Sequence, residues 1–198
     1  MDKSALFRLG YGLYVLTAHH DGRDNGCIIN TAMQITDKDP FIAIIAVNKH
    51  ALTHDMIMES RKFNISVFIM NTPFEIIQHF GFQSGRDVDK FPNDENVARS
   101  KNGILYFKKS TNAFLSMNVI DTIDFDTHTM FKSEIVDGGV MGSGRSLNYA
   151  RYHEHIRPKP AIDGFFCRIC GYVLEGDLPS DFICPKCKCG AKVFSKVR

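Results

Sequence analysis

Four of the six cysteines fall into two Cys-x2-Cys pairs near the C-terminus, Cys167 with Cys170 and Cys184 with Cys187. Two such pairs supply the four thiolates that one tetrahedral ion needs, at about 2.3 Å each, and soft sulfur selects iron or zinc over hard cations. Spacing alone leaves both metals open, because a one-iron electron carrier and a structural zinc ribbon use the same ligand count. The flanking residues suit a small metal module. Gly171 can take a positive φ where the first knuckle turns, which brings backbone N–H groups close to sulfur. Pro185 fixes φ inside the second knuckle. Phe166, Tyr172, Phe182 and Phe194 can build the aromatic core that so short a module otherwise lacks. Bonds to sulfur and exclusion of water then set a centre's potential. Cys189 is a fifth thiol in the tail, read as a spare, and Cys27 stands alone. This usage fits a reducing cytoplasm and a metal site rather than disulfides.

A second set of polar residues is spread along the preceding sequence: Asn30, Thr31 and Gln34 around Ala32 and Met33, then Asn48, Lys49 and Thr53, then Ser84, Arg86 and Lys90, and finally His128. Taken singly, each has a plain structural reading. Thr53 reads as a helix N-cap, Asn30 as a partner for a turn, Arg86 and Lys90 as solvated charges, and His128 as a structural histidine. His153 and His155 read as surface residues. The Gly-rich run 139–144 lacks the Gly-x-Gly-x-x-Gly order and no βαβ pattern surrounds it, so a Rossmann nucleotide site is excluded there.

The elements that must position these groups read as mostly strands. Residues 10–18 form a first strand closed by the turn Asp21-Gly22, 27–36 a second, 41–47 a buried apolar strand, and 64–69 a further one. A helix runs from Thr53 to about Lys62. Thr72-Pro73-Phe74-Glu75 reads as a capping box with proline at the first helical position, ending at Gly81. Residues 84–112 read as irregular, and 113–124 with 128–137 as two more strands. The pair Pro158 and Pro160 marks a stiff linker. The expected division is 1–155, a linker 156–163, and a tail 164–198. Many strands, few short helices and no βαβ rhythm predict a mainly β fold, a barrel, before the small metal module.

Composition bounds the partners. The 198 residues are 44% hydrophobic, and no apolar run approaches the 18 residues of a membrane span. The first residues lack an apolar signal core, so a cytoplasmic location is expected. A formal charge of +2 argues against nucleic acid as the main partner. The tail is locally basic, which suits either plain solvation or docking to an acidic redox partner.

Three stretches, Asn30-Thr31-Ala32-Met33-Gln34, Asn48-Lys49-His50-Ala51-Leu52-Thr53-His54 and residues 80–90 (FGFQSGRDVDK), resemble the FMN-binding split-barrel flavin reductases, flavoredoxin among them. Asp126-Thr127-His128 is similar to that family's Gly-Asp-His segment without its glycine. Cys-Arg-Ile-Cys-Gly-Tyr and Cys-Pro-Lys-Cys resemble rubredoxin, with Phe182 where a tryptophan is usual and Lys188 where a glycine is. Together they resemble the high-molecular-weight rubredoxins, over essentially the whole chain. The resemblance implies a split barrel that binds FMN through Asn30, Thr31, Ala32, Met33, Gln34, Asn48, Lys49, Thr53, Ser84, Arg86, Lys90 and His128, with Thr31 near N5 and Lys90 favoured for the phosphate. It implies one iron ion on Cys167, Cys170, Cys184 and Cys187, NAD(P)H as donor, a homodimer, and a flavodiiron protein as electron acceptor. Two other outlets stay open: a ferric or free-flavin reductase with the tail as internal store, and a flavin-binding protein with a zinc ribbon. Hydride transfer needs no acid or base, so no catalytic side chain is expected.

Overall fold

The computed structural model describes residues 5, 8–92, 95–157, 163–168, 172–185 and 188–197. The chain divides into a larger unit, Tyr11–Ile156, and a second unit that includes Arg157–Arg198.

The larger unit opens with a hairpin, β1 (Tyr14–His20) and β2 (Arg23–Ile29), paired from Tyr14↔Ile29 to His20↔Arg23. Its two-residue turn is the Asp21-Gly22 read from the sequence, with φ of 48° and 73°. Two left-handed residues match the twist of the flanking strands, which is why Asp-Gly closes this hairpin. There follow β3 (Ala32–Gln34), β4 (Ile42–Asn48), α1 (Leu52–Ser60), β5 (Lys62–Phe68) and α2 (Phe74–Gly81). Two short strands, β6 (Val97–Arg99) and β7 (Leu105–Phe107), form their own ribbon. Two long strands, β8 (Thr111–Asp124) and β9 (His128–Val140), then make the longest hairpin. A short helical turn, Tyr149–Arg151, widens into a π-helical turn, Tyr152–Ile156.

Seven strands join in the order β2-β1-β5-β8-β9-β4-β3. Laid flat, such a sheet would hold its edges about 29 Å apart at about 4.8 Å per strand. Its edges are β2 and β3, and Ile29 and Ala32 are only three steps apart along the chain. Three steps reach no more than about 11 Å. The sheet is therefore curled into a barrel whose seam is bridged by Asn30-Thr31.

Side-chain alternation sorts the core into two faces. Leu16, Ile29, Ile45, Phe63, Met117 and Phe131, one each from β1, β2, β4, β5, β8 and β9, meet inside the barrel with Met56 and Ile57 of α1. Leu13, Val15, Phe68, Phe80 and Phe107 pack on the outer side, where α2 and β7 cover the sheet. The mainly β expectation holds, with few and short helices.

Several local expectations change. The single strand read over 27–36 is two strands on opposite edges, because the chain crosses the seam between them. Residues 84–112, read as irregular, contain β6 and β7. Their place is fixed by polar bonds: Asn64 Nδ2 donates to Ile104 O at 2.9 Å and to Ser100 Oγ at 2.9 Å. Thr53 is not the cap of α1. Ala51 holds that place with no side-chain bond, and Thr53 lies inside the first turn. Thr72 does not cap α2 either, since its hydroxyl donates to Ile69 O and Ser110 O and Pro73 occupies the cap position.

The second unit centres on β10 (Gly164–Cys167), flanked by β11 (Val173–Glu175) and β12 (Phe194–Lys196). A Cβ on Gly164 would lie 2.2 Å from Leu174 O, so only glycine allows this strand pair to close. The core holds Cys167, Cys184, Cys189, Val193 and Phe194, with Tyr172 and Phe182 packed against it. Phe182 meets Phe194 edge-on at 5.4 Å. Of the aromatic residues expected to form this core, Tyr172, Phe182 and Phe194 are there, but Phe165 packs against it in place of Phe166, because successive strand residues face opposite sides; Cys189, read as a spare, is part of it. Gly171, Cys170, Cys187 and the prolines at 158 and 160 lie outside the described residues.

Candidate functional site

The barrel seam opens into a groove of two lobes. The first, of about 330 Å³, lies between the start of α1 and the end of α2. The second, of about 270 Å³, continues toward β9 and the Tyr149–Tyr152 turn. Ile28, Ile29, Asn48, Gly81 and Phe82 line both, so the two form one continuous surface. Gly81 sits where β2 and α2 approach closely, and a Cβ there would stand 3.1 Å from Ile28.

The groove gathers groups from five segments. Thr53 is fully buried, and its hydroxyl accepts from Asn25 Nδ2 at 2.9 Å. Cys27, Thr53, Ser84 and Lys90 line the first lobe. Asn30 and His128 line the second, and Asn48 both. Asn48 and His128 are directly opposite each other on β4 and β9. Thr31 Oγ1 donates to Asn30 Oδ1 at 3.0 Å, and Thr127 Oγ1 lies 2.8 Å from His128 Nδ1.

Lys90 carries the electrostatics. Its side chain is 3% exposed, and Nζ donates to Gly26 O at 2.9 Å and Phe80 O at 3.0 Å. An ammonium has three donors, so two are spent on neutral carbonyls and one remains for the groove. Burial pushes its pKa down, partly offset by the neighbouring Cys27. Burial likewise pushes the Cys27 thiol up, against the lowering pull of the Thr53 hydroxyl and Lys90. An anion placed here would relieve the buried ammonium, because a buried charge is stable only when paired.

Other expected residues lie away from the groove. Lys49 pairs with Asp124 at 2.6 Å, and Arg86 with Asp55 at 2.5 Å. Neither lines the groove, and each cation is already matched by a carboxylate on a distant segment. Thr31, Ala32, Met33 and Gln34 follow the seam without lining either lobe. Met33 is 57% exposed, and Gln34 Nε2 donates to Thr36 O at 2.7 Å. Conversely, Cys27, Gly81, Phe82, Tyr149 and Tyr152 line the groove although the sequence singled none of them out as ligands. Gly81 and Phe82 lie within the 80–90 stretch quoted above; no local signal marked the two tyrosines.

The groove fits a flavin mononucleotide in kind: ligand pockets of about 300–1,000 Å³ with apolar walls and a few placed polar groups are the usual form. Ile28, Ile29 and Phe82 supply such walls, and the third Lys90 donor suits a phosphate. In the second unit, the described half of the four-thiolate set also fits. Cys167 and Cys184 are both fully buried in one small core. Among the described residues no group of three or more His, Cys, Asp or Glu is placed to hold a metal; Cys170 and Cys187 lie outside them.

Comparison with known proteins agrees with this geometry. Residues 6–156 match the flavin reductase like domain family. The whole chain is similar to a high molecular weight rubredoxin of Moorella thermoacetica, 35% identical with 100% of both chains covered. It is also similar to a ferric-chelate reductase (NAD(P)H) of Archaeoglobus fulgidus, 37% identical, covering 77% of this chain and 89% of that one. Among solved structures, flavoredoxin from Methanosarcina acetivorans aligns with a TM-score of 0.59 and 22% identity, covering 66% of this chain and 69% of that one. An NADH:FAD oxidoreductase of Streptomyces globisporus aligns with a TM-score of 0.64 and 19% identity, covering 74% and 88%. The chain belongs to the flavin reductase-like family, and the expectation of an NAD(P)H-dependent oxidoreductase is borne out.

Proposed function

We propose that this chain moves electrons from NAD(P)H through FMN in the barrel to one iron ion on Cys167, Cys170, Cys184 and Cys187, and on to a partner such as a flavodiiron protein. The observation that carries this reading is full-length similarity to a high molecular weight rubredoxin, joined to a groove with one buried lysine donor to spare. FMN would supply the change from two-electron to one-electron transfer, and a four-thiolate iron the one-electron step. One hydride carries two electrons, so each nicotinamide would serve two successive reductions of the iron.

The chain's own residues bind, orient and exclude water. Lys90 meets the phosphate, Asn30, Asn48 and Thr53 offer polar contacts along the groove, and His128 closes one wall. Ile28, Ile29 and Phe82 keep water from the reacting face. Tyr172, Phe182 and Phe194 shield the thiols in the second unit. We propose a homodimer, as in the family the sequence resembles.

A second reading rests on the similarity of the barrel part to a ferric-chelate reductase: the outlet would be a ferric chelate rather than a protein. Absorption spectra of the purified protein, before and after anaerobic NADH or NADPH, test the proposal. Flavin and ferric–thiolate bands that both bleach are the expected result. Flavin bands alone, with zinc by metal analysis, would overturn the electron path to the tail. Consumption of a ferric chelate by a Cys184→Ser variant at the full rate would favour the second reading.

A further inference from the structure

We propose that His54 is a positioning residue that holds the two lobes of the groove in register, an inference that rests on the FMN reading above. It follows Thr53 on α1, is 8% exposed, and packs edge-on against Phe131 of β9 at 5.7 Å. Both ring nitrogens are engaged. Nδ1 lies 2.9 Å from Asp55 Oδ1, and Nε2 lies 2.9 Å from Thr129 Oγ1.

Each contact leads to a different wall. Asp55 Oδ2 accepts from Arg86 NH2 at 2.5 Å, and the Arg86 backbone N–H donates to Ser84 Oγ at 3.1 Å. Ser84 lines the first lobe with Thr53. Thr129 is the neighbour of His128, which lines the second lobe, and its hydroxyl donates to Asp124 Oδ1 at 3.4 Å. Asp124 in turn pairs with Lys49, beside Asn48. Arg86 and Lys49, the two cations that miss the groove, are thus the outer ends of a network centred on His54. Direct ligation is not their part. They brace the segments that carry Ser84 and Asn48.

One hydrogen can be assigned from its partner. A carboxylate only accepts, so Nδ1 carries a proton toward Asp55. Nε2 and the Thr129 hydroxyl share the second bond of the ring. The network therefore ties α1 to β9 through both ring nitrogens of His54. Both carboxyls are held below the usual range, Asp55 first by the His54 bond and Asp124 first by Lys49. Such a network loses more than one bond when its centre is removed.

Titration of the flavin-free full-length protein and four variants with FMN, followed by flavin fluorescence, tests the proposal. Thr129→Val keeps shape and removes the hydroxyl with its bonds to His54 and Asp124; it should weaken FMN binding by about tenfold. His54→Phe should weaken it at least as much, and adding Thr129→Val to it should cost less than Thr129→Val costs alone, because the two share one interaction. His54→Gln, whose amide can reach Thr129, should recover part of the loss and restore the visible circular dichroism of bound FMN. A merely structural histidine would lower the melting temperature without this rescue. If a His54 variant does not fold, Thr129→Val decides: FMN affinity within about twofold of the unaltered chain overturns the proposal. An unaltered chain that takes up no FMN overturns the flavin reading itself, and this inference with it.

Discussion

The two units are built on opposite economies of burial. The barrel buries aliphatic and aromatic side chains contributed by six strands and one helix, so its core exists without any ligand. Among its described residues the second unit buries three thiols, a valine and a phenylalanine in one cluster, with a thin cover of rings. A core of that size supplies little hydrophobic stabilisation, and small modules of this kind depend on a metal. One unit is a scaffold with a site cut into it; the other is a site with a scaffold wrapped around it.

The largest expected effect breaks the comparison at the metal proposed for the second unit. Cys184→Ser, or chelation, should unfold the second unit, since apparent metal binding energies of about 10–16 kcal/mol for structural zinc show how fully such modules rest on their ion. The barrel should keep its melting transition and its flavin. Loss of both transitions together, by calorimetry, would show that the two units are one cooperative body. A reciprocal change sharpens it. Phe63→Ala, at a fully buried barrel position, should cost about 3–5 kcal/mol and lower only the barrel's transition, leaving the ferric–thiolate absorbance intact. A smaller effect isolates the groove from its scaffold. Lys90→Met, which replaces a buried ammonium by an apolar chain of similar length, should weaken FMN by roughly ten- to hundredfold, in line with about 1.5–3 kcal/mol for a charged hydrogen bond. It should leave riboflavin, which lacks the phosphate, bound as before. Equal losses for both flavins would remove Lys90 from the phosphate site. The pH trend follows: burial depresses the Lys90 pKa, so the ammonium and its phosphate bond are fully present below that pKa. They fade as alkaline pH rises through it, earlier than for an exposed lysine.

How much the sequence revealed depends on how local each cause is. Asp21-Gly22 was readable because two adjacent residues determine that turn. The strand periods were readable for the same reason. The break at Asn30-Thr31 was not, because only the meeting of two sheet edges shows that the chain changes sides there. Thr53 and Thr72 carry the residue type of a cap, yet their hydroxyls are drawn to Asn25 and to the carbonyls of Ile69 and Ser110. Lys49 and Arg86 were reasonable phosphate ligands until their carboxylate partners, Asp124 and Asp55, came into view from distant segments. β6 and β7 are three residues each, too short for periodicity, and the Asn64 bonds that hold them span 36 to 41 positions.

The seam at Asn30-Thr31 also acts as a ruler. An outer turn such as Asp21-Gly22 can lengthen into solvent, where doubling a loop costs only about 0.6 kcal/mol. Here the connection itself closes the circumference. One residue fewer draws the edges together and narrows the groove; one more slips β3 against β4 by a residue and turns its side chains to the opposite face. Residue number is fixed at such a point by the closure itself, whatever the side chains do. Insertions and deletions accumulated by the lineage are therefore expected at the outer turns, with the step from Ile29 to Ala32 kept at constant length.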